Sequence, residues 1–143
     1  SSMIINPNDF DIPEGFRHYD GDPAEDTFGP FFGKVGEQGF ETAFRAQAKH
    51  CNGHNTVHGG ILMSFADYSL CMAGIDGEEG VSVVTISCNN EFILPAVEGD
   101  LILGNCEVLR QGRSLIFVRC TLSVNGNHVL NSSGVVKRIP KPA

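Results

Sequence analysis

Tryptophan is missing from the 143 residues, and tyrosine occurs only twice. Aromatic bulk therefore rests on ten phenylalanines, side chains with no polar atom to satisfy when buried. The five cysteines, Cys51, Cys71, Cys88, Cys106 and Cys120, are an odd number with no C-x-x-C spacing. That argues against a disulfide framework and for a reducing compartment, with most of these thiols acting as small buried hydrophobes. Positive charge is scarce: ten Lys and Arg face 17 Asp and Glu, a net charge of −7. Such a balance disfavours nucleic acid or an anionic membrane as the main partner, though a local basic cluster can still hold a small anion. No apolar run is long enough to span a bilayer, and no charged-then-apolar leader opens the chain. The expectation is a cytoplasmic protein of one domain, long enough to bury a real core.

Residues 1–28 read as an irregular arm rich in proline and aspartate, with no sustained period of 2 or 3.6. Phe10, Phe16 and Phe28 are its candidates for packing on the body. Residues 29–143 form the domain. FFGKV, a turn at GEQG and FETAFRAQAKH predict a hairpin leading into a histidine-rich stretch. ILMSFADYSLCMAGI, residues 61 to 75, is the one convincing helix, entered through Gly59-Gly60 and left near Gly74, Asp76 and Gly77. It is apolar on nearly every side, which predicts burial. A stripe of small or polar residues runs along it: Gly60, Ser64, Asp67, Cys71 and Gly74. After Gly80 the runs VSVVTISCNNEFILP, DLILGNCEVLRQG, RSLIFVRCTLSV and HVLNSSGVVKRI predict four strands. Asn125-Gly126 is the clearest hairpin signal among them. Two strands, one helix and four strands make an α+β order, with a curved antiparallel β-sheet wrapped around one long central α-helix.

HCNGHNTVHGGILMSFAD, residues 50 to 67, carries the candidate chemistry. His50, His54 and His58 stand four apart, a metal-binding repeat if the segment were helical. Asn52-Gly53, Thr56-Val57 and Gly59-Gly60 oppose a helix there, and no carboxylate stands close by as a further ligand, so no metal is expected. As a loop feeding a helix, the same residues build an anion site: the first helical N–H groups lack partners, the macrodipole adds positive charge, and glycine admits a ligand close to the backbone. Such a turn suits a developing oxyanion and hence acyl transfer. His58 would orient the turn, and Asn52 offers an amide. Cys51 offers a thiol as a minor alternative nucleophile. Asp67, a carboxylate in an apolar helix, is costly to bury unless paired or used, and suits a general base or nucleophile. Eight residues of helix separate Gly59 from Asp67, about 12 Å, too far for one carbonyl to touch both. Two antiparallel copies of the helix would bring Asp67 of one chain to Gly59 of the other, so catalysis requires a homodimer with composite sites.

NGHNTVHGGILMSFAD resembles the signature of hotdog-fold acyl-CoA thioesterases, nearest the phenylacetyl-CoA thioesterase type of phenylacetic acid degradation. TISCNNEFILPA is similar to the family's following strand, and the resemblance spans roughly residues 30 to 139. It implies the hotdog fold, an acyl-CoA substrate with an aryl- or medium-chain acyl group, no cofactor beyond the substrate's coenzyme A, and assembly as dimers and often tetramers. It further implies that Asn52 positions the thioester, that Gly59 after His58 is the oxyanion donor, and that Asp67 acts across the dimer interface. Thr85, reached by gapless counting from Asp67, would assist the carboxylate or the water. For substrate and coenzyme A binding the resemblance points to Gly60, to Arg110, Gly112, Arg113 and Ser114 about one turn, and to Lys137 and Arg138. Leu94 stands before Pro95 where relatives often carry Arg, and the acidic arm is atypical. The rival readings are a hotdog hydratase or dehydratase, whose signatures are absent, and a protein that binds acyl-CoA without turning it over.

Overall fold

The computed structural model describes residues 4–141. In chain order it contains helix α1 (Pro23–Phe28), strands β1 (Phe32–Val35) and β2 (Phe40–Arg45), helix α2 (Gly59–Ile75), and strands β3 (Val81–Phe92), β4 (Leu101–Gln111), β5 (Leu115–Val124) and β6 (Asn127–Pro140). The strands form one antiparallel sheet in the order β1-β2-β4-β5-β6-β3. Helix α2 touches β2, β3, β4, β5 and β6. Five strands at ~4.8 Å spacing span about 19 Å, whereas a helix with its side chains is only ~10–12 Å across. A flat sheet could not reach it from all five, so the sheet curves around α2 as the α+β pattern predicted.

The apolar sequence of α2 follows from that enclosure. Leu62, Phe65, Ala66, Tyr68, Leu70 and Ala73 are all buried, and they are not confined to one face. Gly74 is small because the sheet is close: a Cβ there would sit 2.8 Å from Val136 Cγ2. The helix ends at Asp76, whose positive φ and N–H to the Met72 carbonyl close the last turn. In β5 the alternation is clean, with Ile116, Val118, Cys120 and Leu122 buried under the helix and Leu115 and Phe117 outside. Asn125 and Gly126, at φ 49° and 82°, make the expected tight turn into β6.

Three sequence expectations need correction. The second strand ends at Arg45, and residues Ala48–His50 form a 3-10 turn closed by the Gln47 N–H on His50 Nδ1. Helix α2 begins at Gly59, because His58 caps it. The arm is not irregular throughout. Pro7–Phe10 is a 3-10 turn, Arg17 pairs with Gly33, and α1 starts where Asp22 Oδ1 accepts the Glu25 N–H with Pro23 at the first helical position. Phe16 is buried with Ile12, Phe32 and Ala43, and Phe10 packs on Phe32 at 5.9 Å between centroids. Phe28 differs, remaining 43% exposed. Among the described residues no helix is long and apolar enough to cross a membrane.

Candidate active site

The histidine stretch is a loop, as its Asn-Gly and β-branched residues require. Asn52 organises it: Oδ1 accepts from the His54 N–H at 2.8 Å and the Thr56 N–H at 3.3 Å, while Nδ2 donates to Thr56 Oγ1 at 3.0 Å. The amide that the sequence offered to a substrate thus also holds the loop. The loop is fastened to the segment after β3, where the Val57 N–H reaches the Ala96 carbonyl at 2.8 Å.

The three histidines part company. His50 is buried, accepts the Gln47 N–H on Nδ1 and donates from Nε2 to the Gly29 carbonyl at 3.1 Å. Burial lowers its pKa, with the Lys49 charge acting the same way. Its own carbonyl accepts the His58 N–H at 2.8 Å, which ties the arm to the candidate oxyanion turn. His54 is exposed at the loop tip. His58 is the cap of α2. Among the described residues no three His, Cys, Asp or Glu side chains gather as a metal ligand set.

At the start of α2 the donors are sorted. His58 Nδ1 accepts the Gly60 N–H at 2.9 Å, and the His58 carbonyl takes the N–H groups of Ile61 and Leu62. No acceptor among the described residues takes the Gly59 N–H. The turn therefore presents one donor, from Gly59, while Gly60 serves as the anchor that holds the His58 ring. The Phe92 ring lies against Gly59, 3.2 Å from where a Cβ would stand.

Asp67, two turns further along α2, is half-buried. Thr85 Oγ1 on β3 donates to its Oδ1 at 2.5 Å, a contact in keeping with the role that the family resemblance implied for Thr85. Cys71 Sγ approaches the same oxygen at 3.8 Å. Burial, reinforced by the Asp67 charge, pushes the Cys71 thiol up to about 12, so it is a weak donor to the carboxylate and not a nucleophile. Cys51, the other thiol nearby, points its Sγ to the Gln47 carbonyl at 3.6 Å.

Sequence reasoning missed Glu25. Helix α1 packs on α2 and brings this carboxyl group into the field of Asp67. Burial first, then the charges of Asp22 and Asp67, push Glu25 up to about 8. The signal was present as Asp22-Pro23 with Glu25 following, a helix start written in an otherwise aperiodic arm. The buried Tyr68 hydroxyl beside this group has no hydrogen-bond partner among the described residues.

The basic candidates divide. Arg138 forms an ion pair with Glu78 at 2.8 Å, and its N–H reaches the Ser114 carbonyl at 2.7 Å. Gly112 closes the β4–β5 turn on Leu115, with Arg113 and Ser114 exposed at its tip. Lys137 lies opposite Leu115 and Val84, one step in register from Thr85, and Arg110 lies opposite Phe117. Lys137, Arg110 and Arg113 are exposed, a small cationic corner on a strongly acidic protein. A larger hollow of about 570 Å³ under the β1–β2 turn, lined by residues from Lys34 to Glu41 with Asn105 and Cys106, shares no residue with this constellation.

Residues 54–130 match the model of the thioesterase superfamily. A Pseudomonas aeruginosa protein named as an esterase is 32% identical over 127 residues, 87% of this chain and 95% of its own. Human acyl-coenzyme A thioesterase 13 is 29% identical over 90 residues, 63% of this chain and 64% of its own. Among solved structures, the PaaI protein of the Escherichia coli phenylacetic acid degradation operon superposes with a TM-score of 0.74 at 23% identity, over 83% of this chain and 86% of that one. Its fold is thus shared, a hotdog sheet around one helix. The chain belongs to the thioesterase superfamily and is a thioester hydrolase.

Proposed function

We propose that the protein hydrolyses an aryl- or medium-chain acyl-CoA thioester to the free acid and coenzyme A. The observation that carries the reading is the Asp67 carboxylate, held on Oδ1 by Thr85, with no hydrogen-bond partner on Oδ2 among the described residues. The thioester carbonyl oxygen accepts the Gly59 N–H at the positive end of α2, where negative charge developing in the transition state is stabilised. Asp67 Oδ2 takes a proton from the attacking water, or attacks the carbonyl carbon directly to give an anhydride that water then opens. In either route the C–S bond breaks, the thiolate leaves and takes up a proton, and one water oxygen ends in the acid. Asn52 keeps the turn in place, and Arg110, Arg113 and Lys137 attract the coenzyme A phosphates.

The partner subunit supplies Asp67 to this site. Within one chain the two groups stand about 12 Å apart along α2. Strand β3, twelve residues long, is one of the sheet's two edges, and Val84, Ile86 and Phe92 on it are exposed. A long apolar edge of this kind is a template for pairing with a second copy. Antiparallel pairing centred between Cys88 and Asn89 sets Thr85 opposite the partner's Phe92, and so Asp67 near the partner's Gly59. The same apolar exposure on β5, at Leu115 and Phe117, suits assembly of such dimers into a tetramer. Five free cysteines fit a cytoplasmic location.

A panel of aryl- and alkyl-acyl-CoA substrates, read by release of free thiol, tests the reading. Hydrolysis of one class with turnover well above the spontaneous rate is expected. Saturable binding of acyl-CoA with no thiol released would replace the enzyme with a binding protein.

A further inference from the structure

A cavity of about 390 Å³ opens beside the N-terminal half of α2, between the helix, the histidine loop and the arm. Its walls include Phe28 from α1, Lys49 and Cys51 from the loop, and Gly60, Ile61 and Ser64 from α2. Gly60 and Ser64 belong to the small stripe along α2, and the next member of that stripe is Asp67. His58 and Gly60, the neighbours of the candidate donor Gly59, both line the cavity.

Phe28 is 43% exposed, yet it is firmly held. Two residues before it, Asp26 Oδ1 meets the buried His18 Nε2 at 2.7 Å. Immediately after it, the Gly29 N–H closes on Glu25 and the Gly29 carbonyl accepts from His50. Thr27 Oγ1 also closes on the Pro23 carbonyl. A large ring on a backbone tied down on both sides, and lining a cavity, is placed to contact what enters it. Phe28 and Glu25 lie three apart on α1 and so share a face, with Glu25 in the field of Asp67 and Phe28 lining the same cavity as Gly60 and Ser64.

We propose that Phe28 of the arm determines acyl specificity, its ring forming the end wall of the acyl cavity and setting the largest group the enzyme accepts. This rests on the thioesterase reading of the preceding section. A cavity of about 150 Å³ suffices for one benzene ring, so the space accommodates a ring with its tether or a medium chain and stops a long fatty chain at Phe28. The occupant is the acyl group because His58 and Gly60, on either side of the Gly59 donor that takes the thioester carbonyl, line the cavity.

The test compares hexanoyl-, octanoyl-, lauroyl- and phenylacetyl-CoA on the wild-type protein, Phe28→Ala and Phe28→Trp. Phe28→Ala should raise kcat/KM for lauroyl-CoA relative to hexanoyl-CoA by ~10-fold or more, since pocket methylenes discriminate on that scale. Phe28→Trp should shift the preference the opposite way, which keeps the test decisive if the alanine variant folds poorly. Size-exclusion chromatography accompanies each assay. A loss of rate equal for every chain length, an unchanged preference in both variants, or a change only in oligomeric state overturns the proposal. Failure of the wild-type protein to release thiol from any of the four would instead overturn the thioesterase reading.

Discussion

Replacing Gly59 by proline tests the proposed oxyanion donor with little disturbance of the fold. Gly59 is the first residue of α2, where proline's missing N–H removes no intrahelical bond and its fixed φ suits the helix. His58 sits at φ −58° and ψ 134°, the extended region that a residue before proline prefers. Gly59 does not use a positive φ, so a side chain brings no backbone strain. The added Cβ meets only the edge of Phe92 at 3.2 Å, and that ring is 55% exposed and free to shift. Stability should therefore change by no more than about 1 kcal/mol. Gly59→Ala carries the same Cβ and keeps the N–H, so the ratio of the two variants cancels the Cβ contact and reports replacement of the N–H by the proline ring Cδ. Loss of one such donor lowers kcat by ~10²–10³. The assay is thiol release at saturating substrate, with thermal melts to verify folding. A proline variant within tenfold of the alanine variant would refute the assignment of Gly59.

Gly59→Pro and Asp67→Asn chains, co-expressed with different tags and purified as the heterodimer, should recover about half the wild-type rate, since one of two composite sites is then intact. A heterodimer as inactive as either parent would place both groups in one chain. Glu25 makes stability depend on pH: its pKa of about 8 in the folded protein lies above 4.5, so the folded state holds the extra proton between those values. Its contribution is fully present below about 4.5 and is lost as pH rises through about 8. Glu25→Gln should consequently melt higher than wild type at alkaline pH and show little difference in acid; an unchanged difference across that range would count against the buried acidic contact.

The parts of the fold legible in the sequence were those with strong periodicity or special backbone chemistry. An apolar run of helical length could only be α2, and alternation with Asn125-Gly126 marked β5 and β6. Asp67 was visible because a carboxylate stands out in an apolar helix, and Thr85 only through the family resemblance, which places a hydroxyl on the following strand. Other features depend on contacts distant in sequence. Nothing in His50 itself announces that its ring clamps Gly29 of the arm. That His58 takes the Gly60 N–H and leaves only that of Gly59 is a matter of rotamer and cap geometry. Helix α1 is six residues long, too short for any period to appear, and its role beside α2 emerges only when the arm folds back.

The central claim is that Asp67 activates the hydrolysis of an acyl-CoA thioester. Asp67→Asn preserves the size of the side chain and its contact with Thr85 while removing the base. The account predicts turnover at least ~10²-fold below wild type, with melting temperature and oligomeric state retained. Thiol release at the wild-type rate by this variant would contradict it.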